Sequence, residues 1–174
     1  MTPPPLPLAA AAALLAASFG AAAHVTLEEP AAIAGKPYKA VLRVGHGCEG
    51  TATHTLAVRI PAGFKGAKPM PKPGWAIEIR PVADSVEIVW KASSREAFLP
   101  DAHYDEFVLR GRTPEQPGPL WFKVQQLCEK GQWDWAETPA SGTSTKGLKA
   151  PAALLEVLPG MGGAGASTSG EHRH

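Results

Sequence analysis

Short runs of alternating apolar and polar residues, each cut off by proline, glycine or a polar turn, govern what this chain can fold into. The run at 75–80, Trp-Ala-Ile-Glu-Ile-Arg, alternates and stops at Pro81. Runs at 38–44, 55–60, 85–90, 105–110 and 120–125 have the same character, and 24–27 and 154–158 add candidates at either end. A period of two sends successive side chains to opposite faces, so each run hides one face and wets the other. Eighteen prolines and 18 glycines punctuate the chain, and no long helical period runs through the part after residue 23. Seven or eight short strands between turn-rich connectors predict an all-β fold, an immunoglobulin- or fibronectin-like antiparallel β-sandwich. The Pro-, Gly- and Lys-rich segment 61–74 reads as an exposed loop between strands, and no internal repeat is evident.

The start of the chain reads as a secretory leader. Residues 8–19 form a short apolar core, Gly20 follows, and Ala21-Ala22-Ala23 make a small-x-small cleavage site. The apolar run falls short of the roughly 20 residues a membrane span needs. Residues 1–23 contain no Lys or Arg, so the positive region before the core is reduced to the initiator amine. Cleavage after Ala23 predicts a periplasmic or secreted protein with one domain at 24–158. A disordered, His-containing tail is expected at 159–174, where glycine and small polar residues cannot bury enough surface to offset ordering entropy. No later stretch is apolar enough to span a bilayer. A net charge of +1 without long runs of one sign argues against nucleic acid or an electrostatic membrane partner.

The chain has two cysteines, Cys48 and Cys128. In an exported protein such a pair predicts a disulfide, with one possible intramolecular pairing. Closing so long a loop is worth on the order of 4–5 kcal/mol in the chain-entropy model. The alternative chemistry for two thiols here is a thiolate copper site.

Cleavage after Ala23 would leave His24 with a free α-amine. Amine and ring Nδ1 can then close a six-membered chelate on one metal ion, which an internal histidine cannot do because its backbone nitrogen is an amide. Amine and imidazole nitrogens suit Cu(II), which stands at the top of the Irving–Williams order and takes about four ligands in a tetragonal plane. Against this, some residue must follow any cleavage site. Glu49, in the turn-like stretch 45–50 beside Cys48, is a plausible third ligand, although most turn carboxylates are simply solvated. Trp133-Asp134-Trp135 follows Cys128, and a disulfide would draw it toward Glu49. One of these indoles would shield a metal, or one is core and the other surface. His46 lies two residues before Cys48 and has a route to the site. His54 and His103 read as surface or structural, and His172 and His174 in the tail have the chemistry to capture copper weakly. Metal binding must displace the amine proton, whose reference pKa is about 7.7–8.0, so affinity is expected to fall below neutral pH. No nucleophile–base pattern, phosphate loop or His-Glu-x-x-His motif occurs.

Taken in order, several blocks resemble the YcnI family of bacterial exported copper-binding proteins. They are His24-Val25-Thr26-Leu27 after the alanine-rich site, His46-Gly47-Cys48-Glu49-Gly50 with Ala52-Thr53, Arg59-Ile60-Pro61 with Gly63, and Pro73-Gly74-Trp75. Phe107 with Pro114, and the region from Trp133 to Glu137, extend the likeness across about residues 24–158. The resemblance implies a sandwich fold and a mononuclear Cu(II) site, the monohistidine brace, with His24 and Glu49 as ligands and Trp135 beside the metal. It implies copper trafficking or homeostasis rather than catalysis, with copper as cargo and other periplasmic copper carriers or importers as partners. Some family members carry a C-terminal membrane anchor, where this chain ends in a polar tail. Two other readings remain at this stage. One is a copper-dependent oxidase or monooxygenase, which needs a second histidine such as His46 or His103. The other is a metal-free structural sandwich.

Overall fold

The computed structural model describes residues 24–160 and is almost entirely β-structure. The strands are β1 (Thr26–Leu27), β2 (Ala31–Ile33), β3 (Pro37–Val44), β4 (Thr53–Arg59), β5 (Lys65–Pro69), β6 (Trp75–Val82) and β7 (Ser85–Ala92). A single 3₁₀ turn, Arg95–Ala97, precedes β8 (Asp105–Arg112), β9 (Gly118–Cys128), β10 (Gln132–Trp135) and β11 (Ala153–Leu158). The predicted leader at 1–23 lies outside the described residues, as does the predicted tail from residue 161 on, with His172 and His174.

The strands form two sheets, one of four strands in the order β1-β3-β8-β5 and one of seven in the order β2-β11-β9-β4-β7-β6, with β10 added to β9. All-β architecture of the immunoglobulin kind is therefore what the alternation predicted. Between the sheets Leu42, Phe107 and Leu109 from the first meet Leu56, Ile88, Trp90, Phe122 and Leu155 from the second, each fully buried. Alternation is clearest in β9, where Leu120, Phe122, Val124, Gln126 and Cys128 are buried while Pro119, Lys123 and Gln125 face solvent. Burying each large apolar side chain contributes roughly 1.5–3 kcal/mol, which makes this interior the main source of stability.

Three features depart from the sequence reading. The pairing of β2 with β11 is parallel, so the sandwich is not purely antiparallel. Its cause is a change of sheet near the start of the chain. β1 pairs β3 in the first sheet, while Pro30 lacks an N–H for a further rung and the chain passes to the second sheet, where the N–H of Glu156 donates to the Pro30 carbonyl. The Tyr38 hydroxyl donates to the Glu29 carbonyl and fastens the crossing. Burial, with help from the Glu29 and then the Glu28 carboxylates, pushes this phenol up to about 12.

The segment 61–74 is not all loop, because β5 pairs β8 at the edge of the first sheet. Its side chains are mostly exposed, its register shifts between Lys65 and Lys68, and Gly66 sits at φ 64°. Lysine, proline and a bulge are what an edge strand uses to discourage further pairing, and they erase the alternation that would have announced a strand. Likewise β6 continues through Pro81, which an edge strand accommodates since one side of its ladder is unpaired.

Candidate metal centre

The residues singled out around His24 gather where β1, the β3–β4 connection and β10 meet. β1 is two residues long, but Val25 and Leu27 are both buried and anchor it against the interior. His24, immediately before it, is half-buried. Its imidazole meets the Trp135 indole edge-on, with centroids 5.6 Å apart and an interplanar angle of 65°.

Trp135 owes its place to β10. Trp135 pairs with Val124 and Trp133 with Gln126, so both indoles lie on the same face of the ladder. They stack at 5.0 Å with an angle of 24°, and Trp135 is 1% exposed while Trp133 is 38% exposed. One indole is therefore interior and one superficial, but they act as a stacked pair. The Trp135 Nε1–H donates to Gln126 Oε1 at 3.0 Å. Gln126, itself buried, donates through Nε2 to the His46 carbonyl and to Thr53 Oγ1, both at 2.7 Å. Among the described residues no buried side-chain nitrogen or oxygen lacks a partner, so this polar network adds specificity without an orphaned group.

The β3–β4 connection carries the other residues. Cys48 and Cys128 form the predicted disulfide, with S–S 2.01 Å and Cα–Cα 5.7 Å, which excludes a free-thiolate copper site at these residues. It ties the connection to the end of β9. Cys48 and Thr51 close a tight turn with reciprocal backbone hydrogen bonds, and the two central residues, Glu49 and Gly50, have φ of 50° and 71°. Two consecutive left-handed residues are the requirement of a type I′ turn, unusual for glutamate. Gly47 is needed for a different reason: a Cβ there would lie 1.8 Å from the Thr51 carbonyl oxygen. The Gly47 N–H donates to Asp101 Oδ1 at 2.9 Å, a second tie.

His46 is half-buried in this connection and meets Trp135 edge-on, centroids 6.1 Å apart. Its Nδ1 contacts the Gly47 carbonyl. Glu49 is exposed, with its carboxylate over Gly131 at the β9–β10 turn. His54 is held at both ring nitrogens, by Thr55 Oγ1 at 2.9 Å and the Cys128 carbonyl at 3.0 Å, and packs on Phe98, a structural role. His103 is exposed. The fold thus brings together His24, His46, Trp133 and Trp135, while Glu49 occupies the turn beside the disulfide. Gln126 went unnoticed in the sequence; the only sign of it was a polar residue at a buried phase of an alternating strand.

Among the described residues no three His, Cys, Asp or Glu side chains cluster as a ready-made metal site. A chelate of the kind His24 can form does not require three such side chains, because two donors come from one residue. What the described residues place here is one half-buried imidazole, that of His24, at the edge of a buried indole whose own N–H is already engaged. No described helix is long and apolar enough to cross a membrane.

A family model described as "Domain of unknown function (DUF1775)" matches residues 24–157. A comparison with curated proteins finds no match. Among solved structures, an uncharacterized protein from Nocardia farcinica with an immunoglobulin-like fold is 23% identical, with a TM-score of 0.64 over 77% of this chain and 97% of that one. A cohesin–dockerin complex from Clostridium thermocellum aligns at 8% identity and TM-score 0.44, covering 78% of this chain and 98% of that one. The first likeness is one of fold.

Proposed function

The chain belongs to the DUF1775 family, and from that premise we propose that it is an exported Cu(II)-binding protein acting in copper trafficking or homeostasis, not an enzyme. The observation that carries this reading is the packing of His24, the residue directly after the small-x-small site, against a buried indole. The disulfide supports export, since such bonds persist in oxidising compartments. The likeness to YcnI proteins supports copper as the cargo.

In this reading leader cleavage after Ala23 frees the His24 amine. That amine and the ring Nδ1 take two equatorial copper positions, and Glu49 supplies a carboxylate from its rigid turn. Trp135 covers one side of the site and keeps water from it. Its N–H is committed to Gln126, so the indole is held in one orientation whether or not copper is bound. Cargo is released when the amine is reprotonated or when a partner with softer donors removes the ion.

The test is a copper titration of two purified forms, followed by electron paramagnetic resonance. One form begins at His24 and the other carries one extra residue before it. Tight binding of one Cu(II) by the first form alone, with an axial, nitrogen-rich spectrum, is the expected result. Equal binding by both forms overturns the reading.

A further inference from the structure

We propose that the outer face of the four-stranded sheet docks on an anionic phospholipid surface. This stands apart from the copper reading and uses none of its residues. Register is the first observation. Lys39 on β3 lies directly opposite Arg110 on β8, and Arg110 lies opposite Lys68 on β5, so three cations stand side by side across three strands. Directly paired positions share a face of the sheet, and all three side chains are exposed. Arg112 and Lys65 make a second basic pair two residues further along β8.

Like charges directly opposite one another destabilise a sheet. None of Lys39, Lys68 and Arg110 joins an ion pair among the described residues. A row on the seven-stranded sheet, Lys123-Arg59-Glu87-Arg80, differs in containing a carboxylate, and Glu87 lies 3.8 Å from Arg80. Protection of an edge explains lysines on β5 but not Lys39 and Arg110, because β3 and β8 are interior strands.

What lies between the cations is the second observation. A groove of about 470 Å³ is lined by Lys39, Lys68, Pro69, Met70, Val108 and Arg110. Met70 is 54% exposed, and Val108 shares the face of Arg110 two residues away. An apolar floor with cationic walls suits a ligand that joins an anionic head to an aliphatic part. Lysine and arginine lay their stems along such a floor while their heads reach outward, and a guanidinium matches the paired oxygens of a phosphate. An acidic polypeptide would bring the same charge, but β5 is a poor template for an added strand: its register shifts between Lys65 and Lys68, and Pro69 has no N–H to offer. Lipid headgroups need no register.

Charge spread evenly along the chain argued against an electrostatic membrane partner. Folding changes that, because it gathers cations from three separate runs onto one face. Thr26 pairs with Arg43, so His24 and the Lys39 row lie toward opposite ends of β3, and docking through the row leaves the His24 end open.

The experiment is co-sedimentation of the metal-free protein beginning at His24 with vesicles of phosphatidylglycerol and phosphatidylcholine, and with vesicles of phosphatidylcholine alone. Binding to the anionic vesicles only is expected, weakening between about 0.05 and about 0.5 M salt as screening shortens the Debye length. Lys39→Gln with Lys68→Gln is expected to weaken binding by about 25-fold, about fivefold for each cation taken from an anionic surface. Lys91→Gln with Lys123→Gln removes the same charge from the outer face of the other sheet and is expected to change binding by less than about threefold, since the effect falls off within a Debye length. Should the first double variant not fold, Lys68→Gln alone, on the exposed edge strand, reads the same effect at about fivefold.

No binding of the parent to the anionic vesicles, equal binding to both kinds of vesicle, or equal loss in the two double variants overturns the proposal. A parent that ignores vesicles but binds polyglutamate overturns it in favour of an acidic protein partner.

Discussion

Two tryptophans of this protein are almost equally hidden, Trp90 at 0% and Trp135 at 1% exposure, yet they sit in opposite surroundings. Trp90 lies in the middle of the sandwich on β7. It meets Phe107 edge-on at 5.8 Å, Phe107 in turn meets Trp75 at 5.1 Å, and its N–H donates to the Met70 carbonyl at 3.4 Å. Trp135 is ringed by two imidazoles and a second indole, and its N–H is taken by a buried glutamine. Burying a glutamine is costly unless every polar atom is matched, and here the matching also fixes His46. Burial alone does not distinguish a structural aromatic from one serving a site; the polarity of its neighbours does.

The comparison can be broken first by truncation. Trp90→Ala is expected to cost about 3–5 kcal/mol in urea unfolding, because the core around it is close-packed. Trp90→Phe should lower stability while leaving copper affinity unchanged. Trp135→Phe should do the reverse, altering the copper spectrum and affinity with a smaller loss of stability. Equal effects of the two Phe substitutions on copper would erase the distinction.

Replacing both cysteines by serine is expected to cost about 2–5 kcal/mol. That variant should also bind copper more weakly, since the connection bearing His46 and Glu49 loses its tie to β9. Normal affinity in a folded double variant would show that the disulfide serves the sandwich and not the site.

Gln126→Leu removes the shared partner of Trp135, His46 and Thr53. A loss of about 1–3 kcal/mol is expected, the cost of leaving buried polar groups unmatched. Tryptophan fluorescence should change with it, whereas Trp90, tied to a backbone carbonyl, should not contribute to that change.

Acid sharpens the site end alone. Copper affinity should fall by about tenfold per pH unit below the amine's reference pKa of about 7.7–8.0, since one proton competes with the metal. Isothermal titration between pH 8 and pH 5 measures this, and a flat profile would argue against an amine ligand. Alkali tests the strand crossing instead. The Tyr38 phenol is raised to about 12 in the fold, so its neutral form is favoured there. The stability it contributes is fully present below the unfolded value near 10 and is lost as pH rises through about 12. Tyr38→Phe should abolish that alkaline component at a cost of about 1 kcal/mol near neutral pH.

Much of the sandwich was legible in the sequence because alternation is a local code. β3, β4, β6, β7, β8, β9 and β11 all stand where period-two runs occur. β5 was hidden because an edge strand of Lys, Gly and Pro has no buried face to produce alternation. β2 and β10 were hidden by brevity, at three and four residues. Of the site, His24 was legible from its position after Ala23, the pair Trp133 and Trp135 from following Cys128, and Trp135 in particular only through the family resemblance; the fold brings His24 and Trp135 into contact. His46 was named in the sequence as a residue with a route to the site, on a par with His103 as a second histidine, and Gln126 was not named.

By itself the sequence determined the layered β-architecture, since consecutive residues encode the period, and it left Cys48 and Cys128 one internal partner each, with the structure deciding for the disulfide over a pair of thiolates. Only the tertiary structure decided which rings meet. Contacts between residues 24, 46 and 135 depend on how two sheets stack, where the first strand changes sheet and which neighbour β10 chooses. Those are long-range outcomes of packing, and no local pattern in the chain encodes them.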